Sequence, residues 1–205
     1  NNDNIDTNDL PNREFYNILE SGERTKSLQI MHYQYLLLKG NLSFIGVNNV
    51  VQNISGGHFD LLTLGLNAKK YAEKFGFFGS AYWQTGKNTL GQSKSAYQFA
   101  ANVDFVPTKN INLILGTEWL SGTDYNADLT KNNSFSPFYG TNHKFNGYMD
   151  YFYVGNHFNN VGLKDFYLKS TFKLTPKATL AANLHGFAAN AKLGFDLLNN
   201  KEYSS

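Results

Sequence analysis

From about residue 28 to residue 198 the chain is a succession of segments of roughly ten to thirteen residues in which apolar and polar side chains alternate. Tight joints carry Lys, Pro, Gly or Asn: Lys39-Gly40-Asn41, Lys70 to Lys74, Pro107-Thr108-Lys109 and Thr175-Pro176-Lys177. The joints between them are longer and rich in Asn, Gly and Ser. Period-two alternation gives a strand one apolar and one polar face. Tight turns after odd-numbered strands, and long loops after even-numbered ones, predict a sheet whose two ends meet different surroundings. A membrane imposes both features, because it fixes strand length and separates two aqueous sides.

Composition agrees with strands and argues against spanning helices. Hydrophobic residues are 41% and mean hydropathy is -0.41. No run approaches the roughly 20 apolar residues a spanning helix requires. Aromatics reach 16%, with 13 Tyr and 17 Phe, as expected for a barrel girdled at both interfaces. A net charge of +2 without a basic run predicts no nucleic-acid partner. With no cysteine, disulfides and thiolate chemistry are excluded. The opening Asn-Asn-Asp-Asn is no secretory leader, so an exported protein would be represented by its mature form or a fragment.

Along the chain, residues 1–26 read as a polar loop with a short helix from Asn12 to about Ser21. Strands are expected over 27–38, 42–51, 58–69, 75–85, the hairpin around 97–105 and 111–119, then 163–174 and 178–188, with a ninth starting near Ala191. The facing of 42–51 is ambiguous. The 97–119 hairpin is the clearest: Tyr97, Phe99, Ala101, Val103 and Phe105 alternate with Gln98, Ala100, Asn102 and Asp104. A one-residue slip would invert both faces, so its register is well determined. Residues 121–162 form a long loop, extracellular or folded inward. The whole, 1–205, reads as one domain: an all-β, antiparallel up-and-down transmembrane β-barrel with about nine strands in this chain.

The aromatic and Asn/Gly-rich run from Ser134 to Asn156, entered from Leu-Gly-Thr-Glu-Trp-Leu-Ser-Gly-Thr-Asp (115–124), resembles the alginate-export-like porins of Bacteroidetes outer membranes. Tyr82-Trp83-Gln84-Thr85-Gly86-Lys87 and Val161 to Lys169 are similar to the same family. The resemblance covers 75–190 well and the first 70 residues loosely. It implies a monomeric barrel of about 18 strands that passes polysaccharide or small solutes by diffusion. Nine strands are then about half of it, and an odd number does not close an ordinary bacterial barrel. The ending Lys201-Glu202-Tyr203-Ser204-Ser205 lacks the terminal aromatic usual in such barrels, so the chain is expected to be an incomplete barrel.

Pore-lining candidates are the polar-side residues Asn102, Asp104, Glu118, Lys164, Lys169, Lys173 and His185. Lys169 and Lys173 share a face, and a positive stripe favours anionic solutes such as uronate polymers, though Asp104 and Glu118 make the lining mixed. In the long loop, Tyr139, Asn142, His143, Lys144, Tyr148 and Asp150 are constriction candidates, with packing against the wall the competing role of the aromatics. Asp124-Tyr125-Asn126-Ala127-Asp128 opens like a calcium loop, but Leu129 stands where the turn Gly belongs and Phe135 where the bidentate Glu belongs. The five His show no metal spacing, so neither metal nor cofactor is expected. The sequence has no nucleophile elbow, Walker loop or dinucleotide fingerprint, and no catalytic residue is assigned. Ser170 and His185 are the nearest nucleophile–base pair, but Ser170 should point to the lipid side with Leu168 and Phe172.

The expected function is an outer-membrane porin for passive diffusion or export of polar or anionic saccharide-type solutes, with outer-membrane lipid and a small-molecule or polysaccharide solute as partners. One alternative is a structural subunit or anchor in an envelope assembly with a protein partner. Another is a soluble carbohydrate-binding β-domain.

Overall fold

A computed structural model describes residues 24–52, 57–137, 161–196 and 201–203. Among them there is no helix. The strands are β1 (Arg24–Leu37), β2 (Gly40–Gln52), β3 (His58–Ala72), β4 (Phe75–Lys87), β5 (Ser93–Thr108), β6 (Ile111–Leu120), β7 (Lys131–Asn132), β8 (Leu163–Thr175), β9 (Ala178–Ala188), β10 (Gly194–Asp196) and β11 (Lys201–Tyr203). Eight of them form one antiparallel meander in the order β1-β2-β3-β4-β5-β6-β8-β9, and β7 adds a short parallel pairing to the start of β5. The expected all-β antiparallel architecture is present, with nine strands in the sheet.

The ninth strand is β7, however, not the segment expected from Ala191. The chain leaves the sheet after β9, because the amides of Asn190 and Ala191 donate to the Val161 carbonyl and that of Lys192 to Asp124. β10 then pairs with β11 in a separate hairpin. The short helix expected over 12–21 lies outside the described residues.

Alternation dictates the register throughout. Phe75, Phe77, Ala81 and Trp83 of β4 stand opposite Phe105, Val103, Phe99 and Tyr97 of β5 on one face, while Phe78, Ser80, Tyr82 and Gln84 meet Asn102, Ala100, Gln98 and Ala96 on the other. The same division crosses every ladder, so each strand gives the first face at least one large exposed apolar side chain: Tyr33, Leu42, Leu66, Phe77, Phe99, Leu115, Leu168 and Leu184. The opposite face is partly covered by residues 132–136, and the core cluster of Ala96, Leu120, Phe135 and Leu163 lies there with Tyr82 against it. These are called the bare face and the covered face.

The tight connections are Leu38-Lys39, Glu73-Lys74, Lys109-Asn110 and Pro176-Lys177. Lys39 and Glu73 take left-handed backbone conformations (φ 56° and 44°), which non-glycine residues adopt at a cost. At the other end the strands run further than the alternation suggests. β4 and β5 stay paired to Lys87 and Ser93, leaving 88–92 as their loop, and only 121–162 is long. The short loop is held by Asn88, whose Oδ1 accepts from the amides of Leu90 and Gln92.

Candidate functional site: the covered face and its inward segment

On leaving β6 the chain turns back over the covered face. Ser121 Oγ donates to the Asn133 carbonyl at 2.7 Å, and the Phe135 amide donates to the Ser121 carbonyl at 2.9 Å. Phe135 drops into the cluster formed by Ala96, Leu120 and Leu163. Two polar side chains on neighbouring strands then hold the segment. Gln84, 1% exposed, acts as a substitute strand partner: its Nε2 donates to the Ser136 carbonyl at 2.7 Å and its Oε1 accepts from the Ser136 amide at 3.1 Å. Lys94 donates through Nζ to Asn132 Oδ1 at 3.0 Å and to the Ser134 carbonyl. Lys94 lies on the loop side of the Trp83–Tyr97 pair, and burial pulls its ammonium down to about 8. The long loop therefore begins by folding inward over the sheet. Its constriction candidates Tyr139, Asn142, His143, Lys144, Tyr148 and Asp150 lie outside the described residues.

Next to this segment, toward the tight turns, lies a polar cluster spanning β5, β6, β8 and β9. Glu118 and Asp165 stand directly opposite one another. Two like charges so placed repel, and each carboxylate has a partner of its own. Gln98 Nε2 donates to Glu118 Oε1 at 3.0 Å, and His185 Nδ1 lies 3.0 Å from both oxygens of the fully buried Asp165. Asn102 Nδ2 reaches the Tyr167 hydroxyl at 3.4 Å, and the Lys169 ammonium stands 4.4 Å from the centre of the Tyr167 ring.

Glycine makes room for two of these aromatics. Tyr82 lies over Gly65 and Tyr167 over Gly116, each directly across the ladder, where a Cβ would collide with the ring. The Tyr82 hydroxyl reaches Asn67 at 2.9 Å. Both rings are thus laid along the sheet, with Phe135 6.5 Å from the Tyr82 ring. Four acceptor oxygens on this face, those of Asn49, Gln98, Asp104 and Asn112, are buried without a protein donor.

Of the seven pore-lining candidates, Asn102, Asp104, Glu118, Lys169, Lys173 and His185 share the covered face. Lys164 does not. It stands opposite Trp119 and Ala188 on the bare face, because it is an odd number of residues from Lys169 with no bulge between them. The residues sequence reasoning missed are Asp165, Tyr167, Gln98, Gln84 and Lys94. Parity along β8 is sufficient to place Asp165 and Tyr167 with Lys169. Ser170 is on the bare face, as expected, donating to the Ala182 carbonyl at 3.0 Å and facing away from His185.

The calcium-loop opening is occupied by its own backbone. Asp124 Oδ1 accepts from the Lys192 amide and Asp128 Oδ1 from the Thr130 amide, a bond that holds the Asp128 carboxyl below its ordinary value. Among the described residues no group of His, Asp or Glu converges as a metal site. Against known families, curated proteins and solved structures alike, the chain finds no match.

Proposed function

We propose that this chain forms part of the wall of a membrane-embedded β-barrel channel, with the bare face toward lipid and the covered face toward a hydrated passage. The observation that carries the reading is the layout of the bare face. Along β4 it reads Phe75, Phe77, Gly79, Ala81, Trp83, Thr85, and along β5 Tyr97, Phe99, Ala101, Val103, Phe105: aromatic at both ends, small or aliphatic between. Phe75 stacks on Phe77 and Phe105 at 6.4 and 4.9 Å near the turns, while Trp119 meets Phe166 edge-on at 6.2 Å near the loops. Phe75 and Trp83 are about 26 Å apart along the strand, or about 20 Å in depth at a tilt of about 40°. That fits between the interfaces of an apolar band of roughly 25 Å. Beyond it the same face turns polar, with Gln29, Asn48, Asp60 and Lys164 at the loop end and Lys70 at the turn end.

The covered face supplies the rest of the reading: charges of both signs and an inward segment narrowing the loop-side mouth. Eight antiparallel strands would close by pairing β1 with β9, but the interior of an eight-stranded barrel is filled by its own side chains. Here the covered face also accommodates the main chain of residues 132–136, which favours a wider barrel completed by further strands at both edges. The resemblance to alginate-export-like porins points the same way, with polysaccharide or small polar solutes as the class passed, and the Lys169 and Lys173 stripe favours anionic ones. Passage is passive, with selectivity set by width, by Lys169 and Lys173 against Asp104 and Glu118, and by the inward loop. The outer membrane is the proposed location.

Planar-bilayer conductance of the full-length protein, with reversal potential under a salt gradient, tests this. Ohmic steps with anion preference, reduced in Lys169→Glu and Lys173→Glu variants, are expected. A protein that inserts and stays silent overturns the open channel in favour of an envelope-assembly subunit.

A further inference from the structure

The two ends of the sheet differ in charge in a way the channel reading does not use. Each of the four tight turns carries one lysine: Lys39, Lys74, Lys109 and Lys177. Lys70 stands beside the first two, and all five are exposed. Among the described residues in these turns the single acid is Glu73. At the loop end the exposed lysines Lys87, Lys131 and Lys192 are interspersed with Asp60, Asp124 and Asp128. Among the described residues, net positive charge is thus concentrated at the turn edge of the apolar band.

Its position decides the partner. The lysines begin where the turn-side aromatics end: Lys70 is on the bare face itself, opposite Phe77, and its ammonium donates to the Leu38 carbonyl at the first turn, 2.6 Å away. Lys39 and Lys74 directly follow the exposed Leu38 and directly precede Phe75. A cation so placed keeps its stem against acyl chains and its head at headgroup depth. Recurrence in every turn around the sheet fits a planar sheet of charge better than a solute on the axis.

We infer that the turn rim is a docking surface for anionic phospholipid headgroups, which holds the protein in one membrane leaflet at a fixed depth. This rests on the membrane reading above. Each lysine near an anionic surface adds an increment of attraction that decays within a Debye length, so the contribution is cumulative and sensitive to salt.

The test uses the full-length protein folded into vesicles of phosphatidylcholine, with or without about one third phosphatidylglycerol, and reads urea unfolding by tryptophan fluorescence. Anionic lipid is expected to raise the folding equilibrium constant about tenfold at low salt, with the gain disappearing near 0.5 M salt, where the screening length falls to about 4 Å. The variant Lys39→Gln, Lys74→Gln, Lys109→Gln, Lys177→Gln should lose most of the gain, and the four Lys→Arg changes should keep it. Lys87→Gln, Lys131→Gln, Lys164→Gln, Lys192→Gln removes the same charge from the loop end and should leave the gain intact. Equal loss in both Gln variants overturns the inference, as does an equal gain in neutral vesicles from inorganic phosphate in solution. A wild type that folds equally well in both lipids overturns it while leaving the membrane reading standing. Failure to enter either vesicle removes both.

Discussion

Gln84 and Lys94 show how single side chains on a strand decide where a distant loop goes. Gln84 satisfies both backbone groups of Ser136 at once, so replacing it leaves a buried N–H and C=O without partners. Each such loss costs about 1–3 kcal/mol. Gln84→Leu should therefore destabilise the fold by about 2 kcal/mol or more in urea titrations and open the 132–137 segment to protease. Lys94 makes a prediction about pH. Its folded value of about 8 lies below the ordinary 10.5, so the fold carries the penalty of a buried ammonium below pH 8. Between pH 8 and 10.5 the unfolded chain holds the proton and the folded chain does not, so stability rises with pH across that window. The rise should be on the order of 2–3 kcal/mol and should vanish in Lys94→Met. A wild-type curve parallel to that of Lys94→Met would contradict the burial of the charge. Neither residue's role is legible in the sequence, where each is one more polar residue on an alternating strand; their partners arrive 52 and 38–40 positions later.

At the scale of the strand, the alternation of β5 and β6 was enough to assign both faces and their register, because apolar and polar sets are cleanly divided there. β2 was ambiguous for a physical reason. Its bare face carries Leu42, Phe44 and Val50, but its covered face carries Ile45, Val47 and Val51, so no polar face marks the division. Lys164 is a charge near a strand end, but its parity puts it with Phe166 on the bare face. Polarity alone does not mark the loop boundaries, because polar residues such as Lys87 and Ser93 still pair across the ladder. The two-faced reading gives a direct test. Leu115, on the bare face in the middle of β6 and 66% exposed, should not tolerate a charge in lipid: Leu115→Arg should cost about 2–4 kcal/mol. Asn183→Arg, on the covered face of β9, should change stability by less than about 1 kcal/mol while altering conductance. Similar costs for the two would remove the distinction between faces.

For the whole molecule, the decisive feature is that most of its exposed large apolar side chains lie on one face of an eight-stranded sheet instead of being gathered in a core, with Leu28, Ile30 and Leu36 of the edge strand β1, Tyr71 and Phe187 on the other face. The cluster around Phe135 is small, while exposed apolar residues continue from Tyr33 on β1 to Leu184 on β9. Soluble monomers rarely leave so extended an apolar patch in water. The chain's two tryptophans, Trp83 and Trp119, both lie on that face near the loop-side edge of the band. Fluorescence quenching of the full-length protein in vesicles therefore reports on that face directly. Brominated acyl chains should quench both tryptophans strongly, most when the bromine lies near the headgroup, and aqueous iodide should quench them little. Efficient iodide quenching with no effect of brominated lipid would place the bare face in water and contradict the account at its centre.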